Sequence, residues 1–393
     1  MPTGVRIAVD YTWRMAFTLA AFWAWNICDK AITSYYSKRY KPVPLPENPS
    51  YSPRDVSIIV PTIDTESTFT ECMRLWLKSE PREIIIVTVA RNKDRVVQLV
   101  EPFQDDANKI IILTAPRANK RQQLVIGVAA ARAGILALVD DDVFWRNECV
   151  VPYLLAPFED PTIGAVAGIQ SAEIPPERRD PQVITAWEAI AAYDMHQWKG
   201  SREVHFTADG GCWCLSARTL LIRTAILRNL EFTKAYTQEL IGHRVVNTAD
   251  DVILTEWVFD QGWNVSIQNL AEAEVTTNIH RDYRFAWQVL RWDRGNFRSF
   301  LGFIFVYPGL QKLMRRHPYT TFKMVERLAR PVWAFIALSV WLQTLRTVPW
   351  IARHVWAFLV MDYVGPVVDL YIYLTMSNDN WLTRAADIQV IKK

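Results

Sequence analysis

Cysteine is scarce and odd in number: Cys28, Cys72, Cys149, Cys212 and Cys214 in 393 residues. That count builds no disulfide framework and fits a reducing compartment. Cys212 and Cys214 would share one face of a strand, but no second Cys/His cluster stands nearby, which favours two buried small side chains over a metal pair. Neither sign of charge dominates: the formal net charge is +3 and Lys and Arg are dispersed, which argues against a nucleic-acid partner. No small-residue cleavage site follows the first apolar stretch, so no secretory signal is read. Clean membrane-spanning runs are missing too. Met15 to Cys28 is short and lies between Arg14 and Asp29. Val332 to Leu345 is short, and Val355 to Met376 is broken by Asp362, Gly365, Pro366 and Asp369. Ser299 to Leu313 is a further aromatic-rich stretch. Each fits a helix packed on a soluble domain as well as an interfacial one.

What the chain has in quantity is apolar material. Half of its residues are hydrophobic and 22% are charged, enough for a sizeable core in one large domain with appendages or in two domains. Seventeen tryptophans tilt the reading toward a membrane–water boundary, where an apolar ring with a polar N–H is at home. Lys30, Lys38, Arg39 and Lys41 follow the first apolar segment and precede a Pro-rich linker over 41–53. Were that segment inserted, these charges would keep the following domain cytoplasmic.

From residue 55 short apolar runs alternate with helical segments. Val56 to Val60, Glu83 to Ala90, Lys109 to Thr114 and Gly134 to Val139 read as buried parallel strands, with helices to Lys78 and over about 117–133. Right-handed crossovers make such units an open α/β sheet that binds ligands beyond its carboxyl strand ends. A dinucleotide-dependent oxidoreductase would need a glycine-rich turn after the first strand, and Pro61 to Ser67 contains no glycine.

Asp140, Asp141 and Asp142 directly follow the fourth run. Adjacent carboxylates repel unless a cation sits between them, and a Mg2+ or Mn2+ ion on a diphosphate needs only one or two. A solvated acidic turn or helix cap satisfies the same pattern. Asp250 and Asp251 open a helical stretch, where the dipole favours acids and where one of them could equally act as a general base. Gln288, Arg291 and Trp292 share one helix face, offering an amide, a phosphate-binding guanidinium and a flat surface for a sugar ring. An amphipathic helix at an interface would look alike.

In this order the elements resemble the processive family-2 glycosyltransferases: the hyaluronan, chitin and cellulose synthases. The resemblance covers roughly residues 55–300 through Pro61, Asp140–Asp142, Gly210-Gly211 with Arg218, Asp250-Asp251 and Gln288-Val289-Leu290-Arg291-Trp292. It implies a glycosyltransferase-A fold, Rossmann-like with a mostly parallel sheet, flanked by N- and C-terminal membrane-associated helices. The corresponding organisation is a helix and linker over 1–50, a catalytic domain over 51–280, and a third segment over 281–393. It further implies inversion, a UDP-sugar donor, Mg2+ or Mn2+, a carbohydrate acceptor, and work from the cytoplasmic side of a plasma or Golgi membrane, in contact with its lipid. Site roles carry over by position. Asp140 and Asp142 match the metal and diphosphate ligands, Asp251 the base, and Asp250 the acid before it. Lys120 and Arg121, with Gln288, Arg291 and Trp292, match the donor site. Gly210, Gly211, Arg218 and Trp292 match the acceptor side. The expected product is a growing extracellular or cell-wall polysaccharide; the alternative is one transfer to a lipid or small molecule. One departure concerns the nucleotide base, since Val87 to Asn92 lacks the usual Asp and only Asn92 or Asp94 stands near that place.

Overall fold

The computed structural model describes residues 24–328 apart from 26, 242, 247 and 306–308, together with separate residues between 353 and 375. Four apolar runs form β1 (Val56–Pro61), β2 (Glu83–Val89), β3 (Ile110–Ala115) and β4 (Ile135–Val139). They pair in parallel, β4 with β1, β1 with β2 and β2 with β3. Every residue of β1, β2 and β4 is buried, whereas β3 is half-buried because it is the sheet's edge. Side chains alternate between the two faces. Ile58, Val60, Ile84 and Ile86 pack on one side with Phe69, Met73 and Trp76 of helix α1 (Phe69–Lys78). Ile59, Ile85 and Val87 pack on the other with Leu124 and Val128 of helix α2 (Lys120–Ala130). This is the βαβ arrangement that the apolar runs predict.

A short strand, β5 (Val143–Phe144), follows β4, and β6 (Ile163–Gly168), β7 (Gln170–Ala172) and β8 (Thr219–Arg223) come next. Strands β9 (Leu240–Ile241) and β10 (Arg244–Val245) form a small hairpin, followed by β11 (Asn264–Gln268) and β12 (Val275–Thr277). The main sheet runs β11-β6-β8-β4-β1-β2-β3, with β8 antiparallel to both neighbours. A second sheet, β5-β12-β7, stands beyond the carboxyl end of β4. It carries the chain that follows the acidic triplet.

Three helices complete the scaffold of the site: α3 (Ala186–Asp209), α4 (Asp250–Asp260) and α5 (Arg284–Phe305). Thr185 starts α3 with a capping box, its hydroxyl accepting from Glu188 N while the Glu188 carboxylate accepts from Thr185 N. Ala249, with φ +57°, turns the chain into α4. There α5 comes so close that a Cβ on Gly295 would lie 2.8 Å from the Ala249 methyl. Glycine at 295 thereby seats the Gln288–Trp292 helix against the acidic pair at the start of α4. Gly295→Val is expected to cost about 1–3 kcal/mol by overpacking and to lower activity with it, as thermal unfolding and turnover would show.

The aromatic stretch from Ser299 is the end of α5, where Phe300 and Phe303 are buried with Val252 and Leu313. Residues 332–345 lie outside the described residues, as do most of 15–28 and much of 355–376. Among the described residues, no helix is long and apolar enough to cross a membrane.

Candidate functional site

A cavity of about 1120 Å3 opens beyond the carboxyl ends of β1 and β4 and is bounded by α3, the start of α4 and the inner face of α5. This is where an open α/β sheet places its ligands. Asp140, Asp142, Asp251 and Arg291 all line it, as do Lys120, Asp250, Arg218, Gln288 and Trp292. Residues far apart in sequence thus meet at one place.

The acidic triplet divides its labour. Asp141 is buried, and its carboxylate accepts a 2.5 Å hydrogen bond from the Thr62 hydroxyl at the end of β1. Asp140 is bound by Lys120, whose ammonium lies 2.8 Å from Asp140 Oδ1 and 2.8 Å from Asp250 Oδ2. Burial alone would lower the lysine's pKa, but the two carboxylates outweigh it and hold it above the usual lysine value. Lys120 therefore stays charged and ties the β4 terminus to the start of α4.

Asp251 sits differently from its neighbour. Its carboxylate accepts from Cys214 Sγ at 3.2 Å and from Val252 N at 3.0 Å. Burial raises its pKa, the Asp250 charge raises it further, and the Lys120 ammonium only partly offsets both. A carboxylate with a raised pKa is a stronger base than an exposed one, but it must be ionised to act. The sign follows: kcat/KM should fall as pH drops through a value above the ordinary aspartate pKa of about 3.9. A pH–rate profile checks this, and an acidic limb at the ordinary value would contradict the assignment.

On α5, Trp292 lies edge-on to Trp198 with ring centroids 5.2 Å apart. The Arg218 guanidinium stands 4.8 Å above the Trp292 ring and donates to Gln170 Oε1 at 3.0 Å. Gln288 Oε1 is buried without a hydrogen-bond partner among the described residues, as expected of a group whose partner is a ligand.

Five residues that the sequence offered for the site do not line the cavity: Arg121, Gly210, Gly211, Asn92 and Asp94. Arg121 is fully buried and donates to Tyr236 O, Glu239 and Thr248 O. Adjacent to Lys120 on one helix, it points to another side and braces the turn before Asp250 instead of meeting a donor. Gly210 ends α3 with φ +70°, and Gly211 packs against Thr320. Their role is to turn the chain toward Cys214 and Arg218. Asn92 is also taken up elsewhere, donating to Thr65 and Thr88, and Asp94 is exposed in the first turn of the helix Lys93–Val100 after β2. Asp64 and Glu66, in the loop after β1, line the cavity in their place. Asp64 adopts φ +51°, a costly backbone state that tends to mark functional loops.

The donor set can be tested against a divalent cation. Among the described residues no group of three or more His, Cys, Asp or Glu side chains could hold a metal, so a cage built from protein alone is not formed. Asp140 and Asp142 on the cavity wall supply the one or two carboxylates that Mg2+ or Mn2+ uses when substrate phosphates and waters complete its shell. The residues fit a metal bound together with a diphosphate.

Comparison with known proteins agrees with the geometry. The profile described as "Glycosyltransferase like family 2" matches residues 53–295. The chain is 64% identical over 408 residues to the NDP-glycosyltransferase ltbB of Aspergillus luteorubrus, covering 96% of this chain and 100% of that one. It is 36% identical over 274 residues to a type 2 glycosyltransferase of Zymoseptoria tritici, covering 68% of this chain but 55% of the relative. Among solved structures, the mannosyltransferase PcManGT from Pyrobaculum calidifontis, in complex with GDP-Man and Mn2+, matches with a TM-score of 0.57 at 16% identity. That match covers 93% of this chain and 98% of the mannosyltransferase, and it shows a shared fold.

Proposed function

The chain belongs to the family-2-like glycosyltransferases, and from that premise we propose that it moves a sugar from a UDP-sugar to an acceptor hydroxyl with inversion at the anomeric carbon. The observation that carries this reading is the convergence of Asp142, Asp251 and Arg291 on one cavity. Asp251 takes the proton from the acceptor O–H as that oxygen attacks the anomeric carbon. The bond from that carbon to the phosphate oxygen breaks, and its electron pair leaves with the nucleoside diphosphate. Arg291 and Lys120 counter the charge that grows on the diphosphate, in a setting where fixed cations act strongly. Asp140 and Asp142 would hold Mg2+ or Mn2+, which supplies Lewis-acid stabilisation of the leaving group when bound.

Two acceptor readings each have support. The Gln288–Trp292 helix beside the base fits the end of a growing polysaccharide. The polar lining contributed by α3 fits a single transfer to a small molecule. Purified full-length protein, incubated with a panel of nucleotide sugars and Mn2+, should release UDP, and EDTA should stop the release. No release with any donor would contradict the reading, and the mass of the products separates one transfer from many.

We also propose a membrane-surface location with the catalytic residues on the cytoplasmic side. In support, helical residues 27–37 dock on the helix Pro318–Leu328 through Asp29–Lys323 at 3.0 Å. Both elements leave apolar side chains exposed, including Ile27, Ile32, Phe322 and Val325, a pattern suited to an interface. Flotation with liposomes checks this: the protein should rise with the vesicles, and its remaining at the bottom at low and high salt would contradict it.

A further inference from the structure

A thiol stands against the proposed base. Cys214 lines the cavity, is buried, and packs with Ala249, Val252 and Phe300. Its Sγ lies 3.2 Å from Asp251 Oδ2, and among the described residues it is the one side chain that hydrogen-bonds that carboxylate. The other oxygen, Oδ1, accepts from Val252 N at 3.0 Å. One hydrogen bond on each oxygen fixes the plane of the carboxylate where it borders the cavity.

The backbone keeps the pair in register. Leu215 N donates to the fully buried Thr255 hydroxyl at 2.8 Å, and that hydroxyl donates to Asp251 O at 2.8 Å. Thr255 thus latches the segment that follows α3 onto the first turn of α4, and the latch sets Cys214 beside Asp251. The direction of the thiol's hydrogen bond is fixed as well. Burial, and then the Asp251 charge, push the Cys214 thiol well above its usual range, so it stays protonated and can only donate to the carboxylate. Sulfur is at home among apolar side chains, and its S–H is a weak donor. A hydroxyl in its place would hold the ionised carboxylate more strongly and make it a weaker base.

We propose that Cys214 is a positioning residue for Asp251, its thiol holding the carboxylate in the rotamer that meets the acceptor hydroxyl. This rests on the reading of Asp251 as the base. Without the thiol the carboxylate samples other rotamers, and a misplacement of about 1 Å costs up to about 10²-fold in rate. Other charges act on the same pair. Asp250, Lys120 and Asp140 act on Asp251 from α4, α2 and the end of β4, and its field reaches Cys212, Arg218 and Tyr236. Arg202 of α3 acts on the thiol. Arg291 and Asp293 border the cavity from α5, with Asp293 paired to Arg327 at 3.0 Å. All of these groups are kept when Cys214 is replaced, so a difference between wild type and variant isolates the thiol.

The test is the pH dependence of kcat/KM for the full-length protein in saturating Mn2+, read as UDP release from the nucleotide sugar that serves wild type best. UDP affinity and thermal unfolding are measured beside it. A hydrogen bond to the ionised form lowers a carboxylate's pKa, so its loss raises that pKa. In Cys214→Ala and in Cys214→Val, which nearly keeps the volume and has no donor, the acidic limb should move up by about half a pH unit or more. Their kcat should fall about tenfold while UDP affinity stays within about twofold of wild type. Cys214→Ser, which keeps a donor, should return the limb to the wild-type position or below it and recover part of the rate. Added to Asp251→Asn, Cys214→Ala should lower the residual rate less than about twofold, because a residue that acts through the base then has nothing to hold. An unmoved limb in Cys214→Val, the same upward shift in Cys214→Ser, or full additivity with Asp251→Asn would overturn the proposal. A lower melting temperature with an unmoved limb would leave Cys214 a packing residue only. Wild-type turnover in Asp251→Asn would instead strike the base reading itself, so the two failures are distinguishable.

Discussion

Asp251→Asn is expected to lower kcat by about 10²–10⁴-fold, the range that general acid–base catalysis supplies, while leaving UDP affinity within about threefold of wild type. Asparagine keeps the shape that accepts from Val252 N at 3.0 Å, so the start of α4 stays in place. What it loses is the ability to take a proton. The acidic limb of the pH profile should vanish with it, because the group whose ionisation sets that limb is gone. Asp250→Asn should behave differently. It removes a carboxylate that lies 2.8 Å from the Lys120 ammonium, and so disturbs the donor end before it disturbs proton transfer. Turnover and UDP binding by calorimetry check both variants. Loss of UDP binding in Asp251→Asn, with turnover per bound donor unchanged, would remove Asp251 from the role of base.

Asp142→Ala should cost about 10³-fold in kcat/KM, equivalent to about 4 kcal/mol of transition-state stabilisation. That lies within the several kcal/mol a Lewis acid contributes at a phosphoryl oxygen. Asp141 is buried and tied to Thr62 at 2.5 Å, whereas Asp142 is half-buried on the cavity wall, so its removal disturbs the core less. The variant should keep its wild-type melting temperature and need a far higher Mn2+ concentration for any residual activity. Asp141→Ala should do the reverse and lose stability, because it deletes the buried acceptor of the Thr62 hydroxyl and leaves that hydroxyl with Thr65 alone. Metal titrations of activity beside thermal unfolding check the pair.

Much of the fold was legible because buried parallel strands write themselves as apolar runs. Ile58, Ile85, Ile111 and Leu136 each fall in a strand that the runs predict. The antiparallel insertion of β8 between β4 and β6 was not legible, since Thr219–Arg223 carries no signal of direction and its partners are set by packing. At the site, motif order brought Asp140, Asp142, Asp251 and Arg291 to one place. Adjacency, however, misled at Arg121. On a helix, neighbours diverge by about 100°, so Lys120 faces the carboxylates while Arg121 braces Thr248 O. Asn92 was drawn into hydrogen bonds with Thr65 and Thr88, which no linear spacing reveals. The cavity-lining residues Asp194, Gln197 and Trp198 of α3 were missed because half-buried polar residues at helical spacing read as an ordinary amphipathic face until a cavity is seen beside them.

The central claim is that a carboxylate after β4 and a guanidinium on α5 act on one cation-bound diphosphate. A double-mutant cycle on UDP affinity in saturating Mn2+, using Asp142→Ala, Arg291→Ala and the two combined, tests it most directly. Groups that share one ligand network should couple by about 0.5–3 kcal/mol, so the double variant should lose less affinity than the two single losses summed. Strict additivity would mean that Asp142 and Arg291 do not meet at the same diphosphate, and would contradict the account.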